Sequence, residues 1–367
     1  MTSKQVTVSG TASEPTNVMT LSGEDLVHAE MANVKWVNDN LTFRPDMIFV
    51  DQFIGPLDPD KWIIVRDHEN VSTEGGALKL DFVWSWPAPE SNGTMVKSTE
   101  FQVPDGVDFQ ATYRMKSSTY AYSGAGGGIS DGATSAWQSH LATLAYWSGG
   151  MPPTFLKVVA DGQVFYNSTG WDVEYHDYST VYDSRSDRYT CYRDTEALGG
   201  YTMDTMPSIF WFGHTEDTGT YDARPVIEVD FVDLWATSGE WLSDPVDMGN
   251  HVSLNGIDLT WTSNHRTEAD ILTEVRASAD KENWTEWVAF DDHGDLAEPL
   301  NGTYIQLRMR MALPGVLKES AHITVSAIDL RYRNPLVTVE VRSQAIDWIF
   351  AEGLHEWQAQ LMLEEDE

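Results

Sequence analysis

Three carboxylates lie close together in the segment Glu228-Val229-Asp230-Phe231-Val232-Asp233. Two carboxylates on one face can cleave a glycosidic bond, one as general acid and the other as base or nucleophile. The segment has the alternation of a strand, which predicts that Glu228 and Asp230 share a face and that Asp233 lies on the opposite face. The position that would extend this face, four residues after Glu228, is Val232. The pattern therefore favours an acidic, solvated strand face over a catalytic set.

A second group of acidic residues crowds a polar, tyrosine-rich stretch. Its members are Asp172, Glu174, Asp177 and Asp183. Oxygen-rich loops suit hard cations, so calcium is a candidate ion here, although no D-x-D-x-D-G loop is present. The alternative is simple solvation of a loop. The ten histidines show neither the H-x-H nor the H-E-x-x-H spacing of a transition-metal site.

Aromatic residues supply the remaining candidate site. A flat ring can stack on a sugar while a nearby Asp or Asn accepts hydrogen bonds from its hydroxyl groups. The alternative is that these rings pack into a core or a loop. The candidates that alternate on a face or lie in the acidic stretch are Trp84, Trp86, Tyr120, Tyr122, Trp171 and Tyr175.

Two other features carry no chemical signal. Cys191 is the lone cysteine, which excludes an intrachain disulfide and favours an inert thiol. The glycine-rich run at 123–128 lacks the Lys-Ser/Thr pair of a phosphate-binding loop, so a flexible loop is predicted.

The elements that would position these residues begin with the stretch Phe49–Phe82. Its end, Ala77–Phe82, alternates apolar and polar residues, as a half-buried strand does. The motifs F-x-D-x-F, L-D-x-x-K-W and G-G-x-L-x-L of this stretch resemble the first strands of concanavalin A-like jelly rolls. Arg224–Trp235 resembles the closing strand of that fold, so the resemblance covers roughly half of the chain.

This resemblance predicts a fold and leaves the function open, since the scaffold hosts lectins, hydrolases, lyases and structural modules. Glycoside hydrolase 16 enzymes carry E-x-D-x-E on a strand in the middle of the domain. The residues of that motif act as nucleophile, orienting acid and general acid/base. Here the nearest equivalent, around Glu228 and Asp230, is incomplete and lies on the predicted closing strand.

A second, smaller β-sandwich is predicted after the jelly roll. Two segments, Gly239–Gly249 and Ser278–Trp287, resemble parts of discoidin-like domains. Such domains usually bind a ligand or act as spacers, and they do not usually catalyse a reaction. The predicted organisation is an N-terminal docking arm at 1–46, a jelly roll at 47–236, the discoidin-like sandwich at 237–335, and a strand with an amphipathic helix at 336–367. The arm docks either on a partner chain or on its own sandwich. The fold class is thus all-β.

The composition excludes several classes of partner. A net charge of −34 disfavours nucleic acids and anionic membranes, which need a basic face. The sequence contains no run of about 18 apolar residues, so no membrane span is predicted. The acidity is explained by solubility, by a high-salt habitat or by cation binding, and these explanations are compatible.

The sequence also lacks an ordinary secretory leader, although its domains are typical of extracellular recognition. Assembly into a virion would resolve that conflict. We therefore predict a non-enzymatic structural or attachment protein of a virus particle, located in the virion. It would be a homo-oligomer that contacts other virion subunits and a host surface glycan or glycoprotein. The alternatives are a carbohydrate-active enzyme and a purely architectural decoration protein.

The high-salt explanation predicts a strong salt dependence of stability. Self-repulsion at a net charge of −34 is relieved by screening, so the free energy of unfolding should rise steeply between low and molar NaCl. Urea unfolding followed by tryptophan fluorescence measures this rise. Equal stability at both salt concentrations would contradict the explanation.

Overall fold

We analysed a computed structural model of the chain. The structure describes residues 16–27, 29–66, 70–73, 75–81, 94–117, 125–131, 143–147, 155–160, 163–168, 174–202, 206–214 and 226–334. These residues form β-strands and one short 3₁₀ helix, so the predicted all-β class is confirmed. No helix among them is long and apolar enough to cross a membrane. The C-terminal strand and helix predicted at 336–367 lie outside the described residues.

The strands follow one another along the chain in three groups. The first group is β1 (Asn17–Ser22), β2 (Ala29–Ala32), β3 (Val34–Val37) and β4 (Asn40–Phe43), with the 3₁₀ helix Gly23–Leu26 after β1. The second group is β5 (Asp46–Asp51), β6 (Trp62–Arg66), β7 (Val71–Ser72), β8 (Leu78–Asp81), β9 (Met95–Ser98), β10 (Phe109–Ser117), β11 (Ala125–Ser130), β12 (Thr143–Trp147), β13 (Phe155–Ala160), β14 (Gln163–Ser168), β15 (His176–Asp183), β16 (Arg188–Arg193), β17 (Glu196–Tyr201), β18 (Ile209–His214) and β19 (Val226–Ala236). The third group is β20 (Ser238–Ser243), β21 (Val246–Ser263), β22 (Asp270–Ser278), β23 (Val288–Ala289), β24 (Asp295–Ala312) and β25 (Ile323–Arg333).

The second group makes the jelly roll. One sheet has eight strands in the order β17-β16-β15-β10-β19-β8-β7, with β5 also paired to β19. The other sheet has seven strands in the order β14-β13-β12-β11-β18-β9-β6. The two sheets share one core, in which Phe210 and Phe212 of β18 meet Tyr113 of β10 and Phe49 of β5.

The motifs at the start of the jelly roll are held by one carboxylate. Asp51 accepts hydrogen bonds from the backbone N–H of Phe53 and from the indole Nε1 of Trp62, both at 2.8 Å. The rings of Phe53 and Trp62 are buried and pack 5.3 Å apart. The carboxylate therefore fixes the turn after β5 against the start of β6, which explains why the F-x-D-x-F and K-W motifs occur together.

The second sandwich is built from the first and third groups of strands. In this ten-stranded sheet β2 pairs with β20, β4 pairs with β25, and β1 also pairs with β25. Its core contains residues from both groups, among them Phe43 and Trp241, which are fully buried. The jelly roll is therefore inserted into the second sandwich, between β4 and β20.

Of the two alternatives for the N-terminal segment, the topology agrees with packing on its own chain. Residues 17–43 contain strands of the second sandwich and do not form a separate docking segment. Ser22 and Asp25, three residues apart, also have the spacing of a capping box, which marks the start of a helix. The pairing is present, since the Ser22 N–H donates to Asp25 Oδ2 at 3.3 Å, but the helix ends at Leu26 and β2 follows.

The glycine-rich run is likewise different from the expectation. Ala125–Ser130 is β11, a central strand between β12 and β18, and not a flexible loop. A Cβ atom on Gly127 would lie 2.0 Å from the Phe212 ring. Glycine is required there because the aromatic core approaches the backbone.

The two sandwiches are joined at Asp108, at the start of β10. Its carboxylate accepts hydrogen bonds from Arg310 of β24 and from the N–H and Oγ of Ser184. Its backbone N–H donates to Ser238 Oγ at 2.8 Å, and its C=O accepts from Thr237 N–H at 2.8 Å. Asp108 and Arg310 are only 9% and 8% exposed, so a buried ion pair lies in the seam between the two domains.

We predict that Asp108→Ala lowers the free energy of unfolding by about 3 kcal/mol or more, because it leaves the Arg310 guanidinium buried without its main partner. Replacing both residues with apolar ones, as Asp108→Leu with Arg310→Met, should cost less than Asp108→Ala alone. Urea unfolding of the full chain measures these values.

The matched control for this prediction is Glu196→Ala, which breaks an exposed ion pair with Arg193. It should change stability by less than about 1 kcal/mol. An Asp108→Ala effect as small as the control would mean that the buried pair does not hold the junction.

Candidate active site

The carboxylates in the strands of the jelly roll all lie on the eight-stranded sheet. The seven strands of the other sheet contain no Asp or Glu. A site that needs strand-borne acid and base groups must therefore use the outer face of the eight-stranded sheet. The strand richest in carboxylates is β19, which lies between β10 on one side and β5 and β8 on the other.

A β-bulge in β19 changes which of its residues share a face. Arg114 of β10 is paired with Phe231 and the next residue, Met115, with Val229, so Asp230 is an extra residue in the ladder. Consequently Val229 and Val232, three residues apart, both point into the core. Glu228, Asp230 and Asp233 then all lie on the outer face. We call these three residues the carboxylate row.

The predicted position of Asp233 was therefore wrong. Strict alternation puts it on the core side, whereas the bulge returns it to the face of Glu228 and Asp230. The sequence does contain a signal for this: the apolar residues Ile227, Val229, Val232 and Leu234 change phase between Val229 and Val232. That phase change is what a single inserted residue produces.

The carboxylate row faces a grid of polar side chains. β10 follows β19 in the sheet, and β15 follows β10. Three lines of neighbours cross the strands: Asp233–Thr112–Ser179, Asp230–Arg114–Asp177 and Glu228–Lys116–Tyr175.

Glu228 has the most defined surroundings. The Tyr175 hydroxyl donates to Glu228 Oε2 at 2.9 Å, and Lys116 Nζ lies 3.3 Å from the same oxygen. Lys116 Nζ also lies over the Tyr175 ring, 4.4 Å from its centroid. Burial and the hydrogen bond to Glu228 raise the pKa of Tyr175 above its usual range, so its hydroxyl remains a donor at neutral pH.

The middle line of the grid is more open. Arg114 Nε lies 3.7 Å from Asp230 Oδ2 and 3.8 Å from Asp177 Oδ1, and about half of each carboxylate side chain is exposed. Such exposed pairs contribute little stability. They do place a cation with spare hydrogen-bonding capacity at the centre of the face.

Asp233 is the most buried member of the row. Burial raises its pKa to about 6, and the nearby Asp177 charge acts in the same direction, while Trp235 and Thr112 partly oppose the shift. Trp235, two residues further along β19, is only 8% exposed. The row therefore has its most exposed member, Asp230, in the middle and its most buried member, Asp233, at the end near the seam with the second sandwich.

This arrangement places a carboxyl group whose pKa is raised to about 6 on the same face as two further carboxylates. Pairs of titratable groups with pKa values set apart by their surroundings are the usual components of acid–base catalysis.

The residues predicted from sequence as a glycan site are only partly described. Tyr175 lies in the grid, beside Glu228. The other five, Trp84, Trp86, Tyr120, Tyr122 and Trp171, lie outside the described residues.

The predicted metal ligands are spread apart where they are described. Asp177 faces Arg114, and Asp183, at the other end of β15, accepts hydrogen bonds from Arg185 N–H and Ser186 Oγ. Glu174 is exposed, and Asp172 lies outside the described residues. Within the described ranges, no three His, Cys, Asp or Glu side chains are grouped to hold a metal ion.

The polar stretch that suggested a calcium loop is largely sheet. Residues 176–201 form β15, β16 and β17, and Tyr178 and Tyr182 point into the core. These strands were not predicted because most of their inward residues are tyrosines, which do not give an apolar alternation. The sequence analysis also missed Arg114, Lys116 and Thr112, since only the pairing of β10 with β19 brings them to the carboxylates.

The fold and the grid together define a concanavalin A-like jelly roll with a polar outer face. Its structure is similar to that of a protein described under "Prominent members of the human gut microbiota express endo-acting O-glycanases to initiate mucin breakdown", at 17% identity, a TM-score of 0.40, and coverage of 52% of this chain and 99% of that chain. It is similar to a Bacillus licheniformis β-glucanase at 13% identity and a TM-score of 0.38, with 51% of this chain and 97% of that chain covered. A glycosyl hydrolase family 16 protein from Mycobacterium smegmatis matches at 15% identity and a TM-score of 0.39, with 52% of this chain and all of that chain covered.

No protein-family model matches the sequence. The search of curated proteins found no similar sequence either. The likeness to solved structures agrees with the jelly-roll architecture described above. At identities below 25% and TM-scores below 0.5, it transfers neither an activity nor a substrate to this chain.

The comparisons do contradict one prediction. The chain was expected not to be an enzyme, whereas the solved structures that share its jelly roll are glycoside hydrolases. That expectation is withdrawn. The expectation had rested on the incomplete E-x-D-x-E pattern, in which the bulge at Asp230 was not foreseen.

The raised pKa of Asp233 predicts how stability depends on pH. An unperturbed Asp titrates near 3.8, so between pH 4 and 6 the folded chain holds a proton at Asp233 that the unfolded chain releases. The free energy of unfolding that Asp233 contributes therefore falls as the pH rises from about 4 to about 6. Asp233→Asn should be about 1–2 kcal/mol more stable than wild type at pH 7.5 and equal to it at pH 4.

Urea unfolding of the two proteins between pH 4 and 8 measures this difference. Asp81→Asn, which changes an exposed carboxylate on the same sheet, is the matched control and should show no such pH dependence. Parallel curves for wild type and Asp233→Asn would show that Asp233 titrates normally.

Proposed function

We propose that this protein acts on a carbohydrate at the outer face of the eight-stranded sheet, as a glycoside hydrolase. The observation that carries the proposal is the bulge in β19, which places Asp233, with its raised pKa, on the face of Glu228 and Asp230. The surrounding Thr112, Ser179 and Tyr175 offer hydroxyl groups for sugar recognition. This keeps the alternative of a carbohydrate-active enzyme and replaces the non-enzymatic prediction.

Each member of the carboxylate row has a separate role in this proposal. Protonated Asp233 donates its proton to the glycosidic oxygen as the bond to the leaving sugar breaks. Asp230 takes a proton from the water that attacks the anomeric carbon. In inverting hydrolases the two carboxyls are about 6.5–9.5 Å apart, which leaves room for such a water.

Glu228 has a positioning role. Tyr175 and Lys116 hold its carboxylate at one end of the row, where it can accept hydrogen bonds from sugar hydroxyls. Arg114, between Asp230 and Asp177, keeps the base oriented. The exposed middle of the row, at Asp230, admits the glycan, and the seam with the second sandwich closes the end at Asp233.

The test is hydrolysis by the full chain of a panel that includes mixed-linkage β-glucan and mucin O-glycans, the substrates indicated by the names of the similar structures. Reducing-end release measures the rate. Asp233→Asn should lower kcat by about 100-fold or more, because a general acid contributes about 10²–10⁴ to the rate. The wild-type rate should fall as the pH rises above about 6, when Asp233 loses its proton.

Asp81→Asn is again the control and should keep the wild-type rate. If the wild-type protein bound glycans without hydrolysing them, the hydrolase proposal would be contradicted. The protein would then have only a glycan-binding function. Hydrolysis that is unaffected by Asp233→Asn would mean that the reaction uses other residues.

The biological setting remains a prediction. The virion location, the virion-subunit partners and the host glycan were inferred from domains typical of extracellular recognition in a sequence without an ordinary secretory leader. A binding function without turnover is the second candidate, favoured by the hydroxyl groups and Tyr175 of the grid. The same glycan panel, read by calorimetry, separates it from hydrolysis.

A further inference from the structure

Three contacts between arginines and tryptophans lie on the outer face of the second sandwich, beside β22. The guanidinium carbon of Arg276, on β22, lies 4.9 Å from the centre of the Trp284 ring and 4.7 Å from that of the Trp287 ring. The guanidinium carbon of Arg308, on β24, lies 4.7 Å from the same Trp287 ring. Both tryptophans are partly exposed, so some of their ring surface is open to solvent. We call Arg276, Trp284 and Trp287 the arginine–tryptophan platform.

Strand alternation and backbone pairing bring the platform together. Val275 and Ala277 point into the core of the second sandwich, so Arg276, between them, points outward. The segment with the two tryptophans runs along β22: the Thr285 N–H donates to the Ala277 C=O at 2.9 Å, and the Ala277 N–H donates to Thr285 Oγ1 at 3.0 Å. The platform is therefore built on paired backbone and not on an isolated loop.

The guanidinium of Arg276 is held in one orientation by a buried amide. Its Nε and Nη2 groups both donate to Gln306 Oε1, at 2.8 and 2.6 Å. Gln306 is only 8% exposed, and its own Nε2 donates to the Ser243 C=O at 2.8 Å, which fixes the amide. The Trp284 ring is fixed in the same way, since its Nε1 donates to the Lys281 C=O at 2.9 Å. A ligand at this platform would therefore meet a preorganised surface.

One side of this guanidinium remains available for a ligand. Gln306 occupies the side formed by Nε and Nη2, so the side formed by Nη1 and Nη2 has two parallel N–H groups without an acceptor among the described residues. Such a pair of N–H groups matches the two oxygens of a carboxylate. Within the described ranges Arg276 has no ion pair either, and the adjacent Glu274 is bound to Arg308 instead, at 2.6 Å. The positive charge of Arg276 is therefore available to an anionic ligand.

The acidic residues of the loop that carries the tryptophans do not occupy this site. The carboxylate of Asp280 accepts hydrogen bonds within its own turn, from Ser278 Oγ at 3.0 Å and from the Asn283 N–H at 2.8 Å. Glu282 and Glu286 are exposed, and neither is paired with the platform. The net charge of −34 repels an anion at long range, but at 0.15 M salt charges beyond about 8 Å are largely screened. The platform therefore suits a short ligand with few charges.

From these observations we infer that the platform binds a sugar unit that carries a carboxylate, such as a uronic acid in a glycan. The carboxylate accepts two hydrogen bonds from the free side of Arg276, and the flat face of the sugar ring lies on the open ring surface of the tryptophans. The two indoles favour a sugar over an acidic peptide, which has the carboxylate but no ring to stack. This site goes beyond the proposed hydrolase activity and shares no residue with the carboxylate row.

The first experiment is calorimetry of the full chain with trigalacturonate and with its methyl ester at 0.15 M NaCl. The two ligands have the same sugar rings and differ in their charge. The acid should bind at least about 10-fold more tightly, because charge-assisted hydrogen bonds to a guanidinium are stronger than neutral ones. Reducing-end release is measured in the same samples, so that any hydrolysis is separated from binding.

Substitutions in the platform test which group recognises the charge. Arg276→Gln should raise the Kd of the acid about 10-fold and leave that of the ester unchanged, whereas Trp287→Ala should raise both. Arg276→Lys keeps the charge without the paired N–H groups, so its Kd for the acid should lie between those of wild type and Arg276→Gln. The matched control is Arg266→Gln, which removes an arginine that stacks on Trp261 at 5.1 Å, and it should change neither Kd. Near-ultraviolet circular dichroism checks that each variant is folded.

Any of four results would overturn the inference. Three of them are failure of the wild-type chain to bind either ligand, equal affinity for the acid and the ester, and a preference for the acid that persists in Arg276→Gln. The first two need no variant, so they hold even if a substitution disturbs the fold. The fourth is a triglutamate peptide that binds as tightly as trigalacturonate, because the site would then recognise carboxylates without a sugar. None of these results bears on the proposed hydrolase activity, which is tested by turnover and by Asp233→Asn.

Discussion

The ion pair between Asp108 and Arg310 is the contact on which the arrangement of the two sandwiches depends. Asp108 uses its carboxylate, its N–H and its C=O to bind β24, the turn after β15, and the link between β19 and β20. Burial of a charge is costly unless it is paired and hydrogen-bonded, and the carboxylate, N–H and C=O of Asp108 each have a partner that only the assembled junction provides. The junction lies beside the Asp233 end of the carboxylate row, and the position of that end therefore depends on it.

The bulge at Asp230 is the corresponding constraint within the jelly roll. A regular strand would divide Glu228, Asp230 and Asp233 between two faces, and Asp233 would then be a charge in the core. The extra residue at the bulge, Asp230, returns Asp233 to the outer face. Asp233 then joins Glu228 and Asp230 in the carboxylate row. The same bulge explains the burial of Asp233, since that residue emerges next to Trp235 at the point where the sheet meets the second sandwich.

Much of the fold could be predicted from the sequence. Ala77–Phe82 was predicted as a half-buried strand and contains β8 (Leu78–Asp81), and the closing strand was predicted in Arg224–Trp235 against the observed Val226–Ala236. Apolar residues alternate in these segments, so local pattern determines them. β15, β16 and β17 were missed because most of their core-facing residues are tyrosines.

The candidate site was less accessible to prediction. Tyr175 and Asp177 were selected for other reasons, and their contacts with Glu228 and Arg114 depend on strand pairing between residues more than 50 positions apart. The sequence also did not predict that residues 17–43 belong to the second sandwich, because their partner strands lie far away in the sequence. Long-range pairing leaves little trace in a local window of sequence.

The insertion of the jelly roll has a consequence for how the chain is made. β4 ends at Phe43, and its partner β25 ends at Arg333, so 290 residues must be synthesised before the second sandwich can close. At about 5–20 residues per second this takes roughly 15–60 s. The jelly roll, which is continuous in sequence, can fold during that time. Leu41 and Phe43 cannot be buried until the strands that complete their core have been synthesised. The order of synthesis thus favours an intact jelly roll as the scaffold that brings the two separated parts of the second sandwich together.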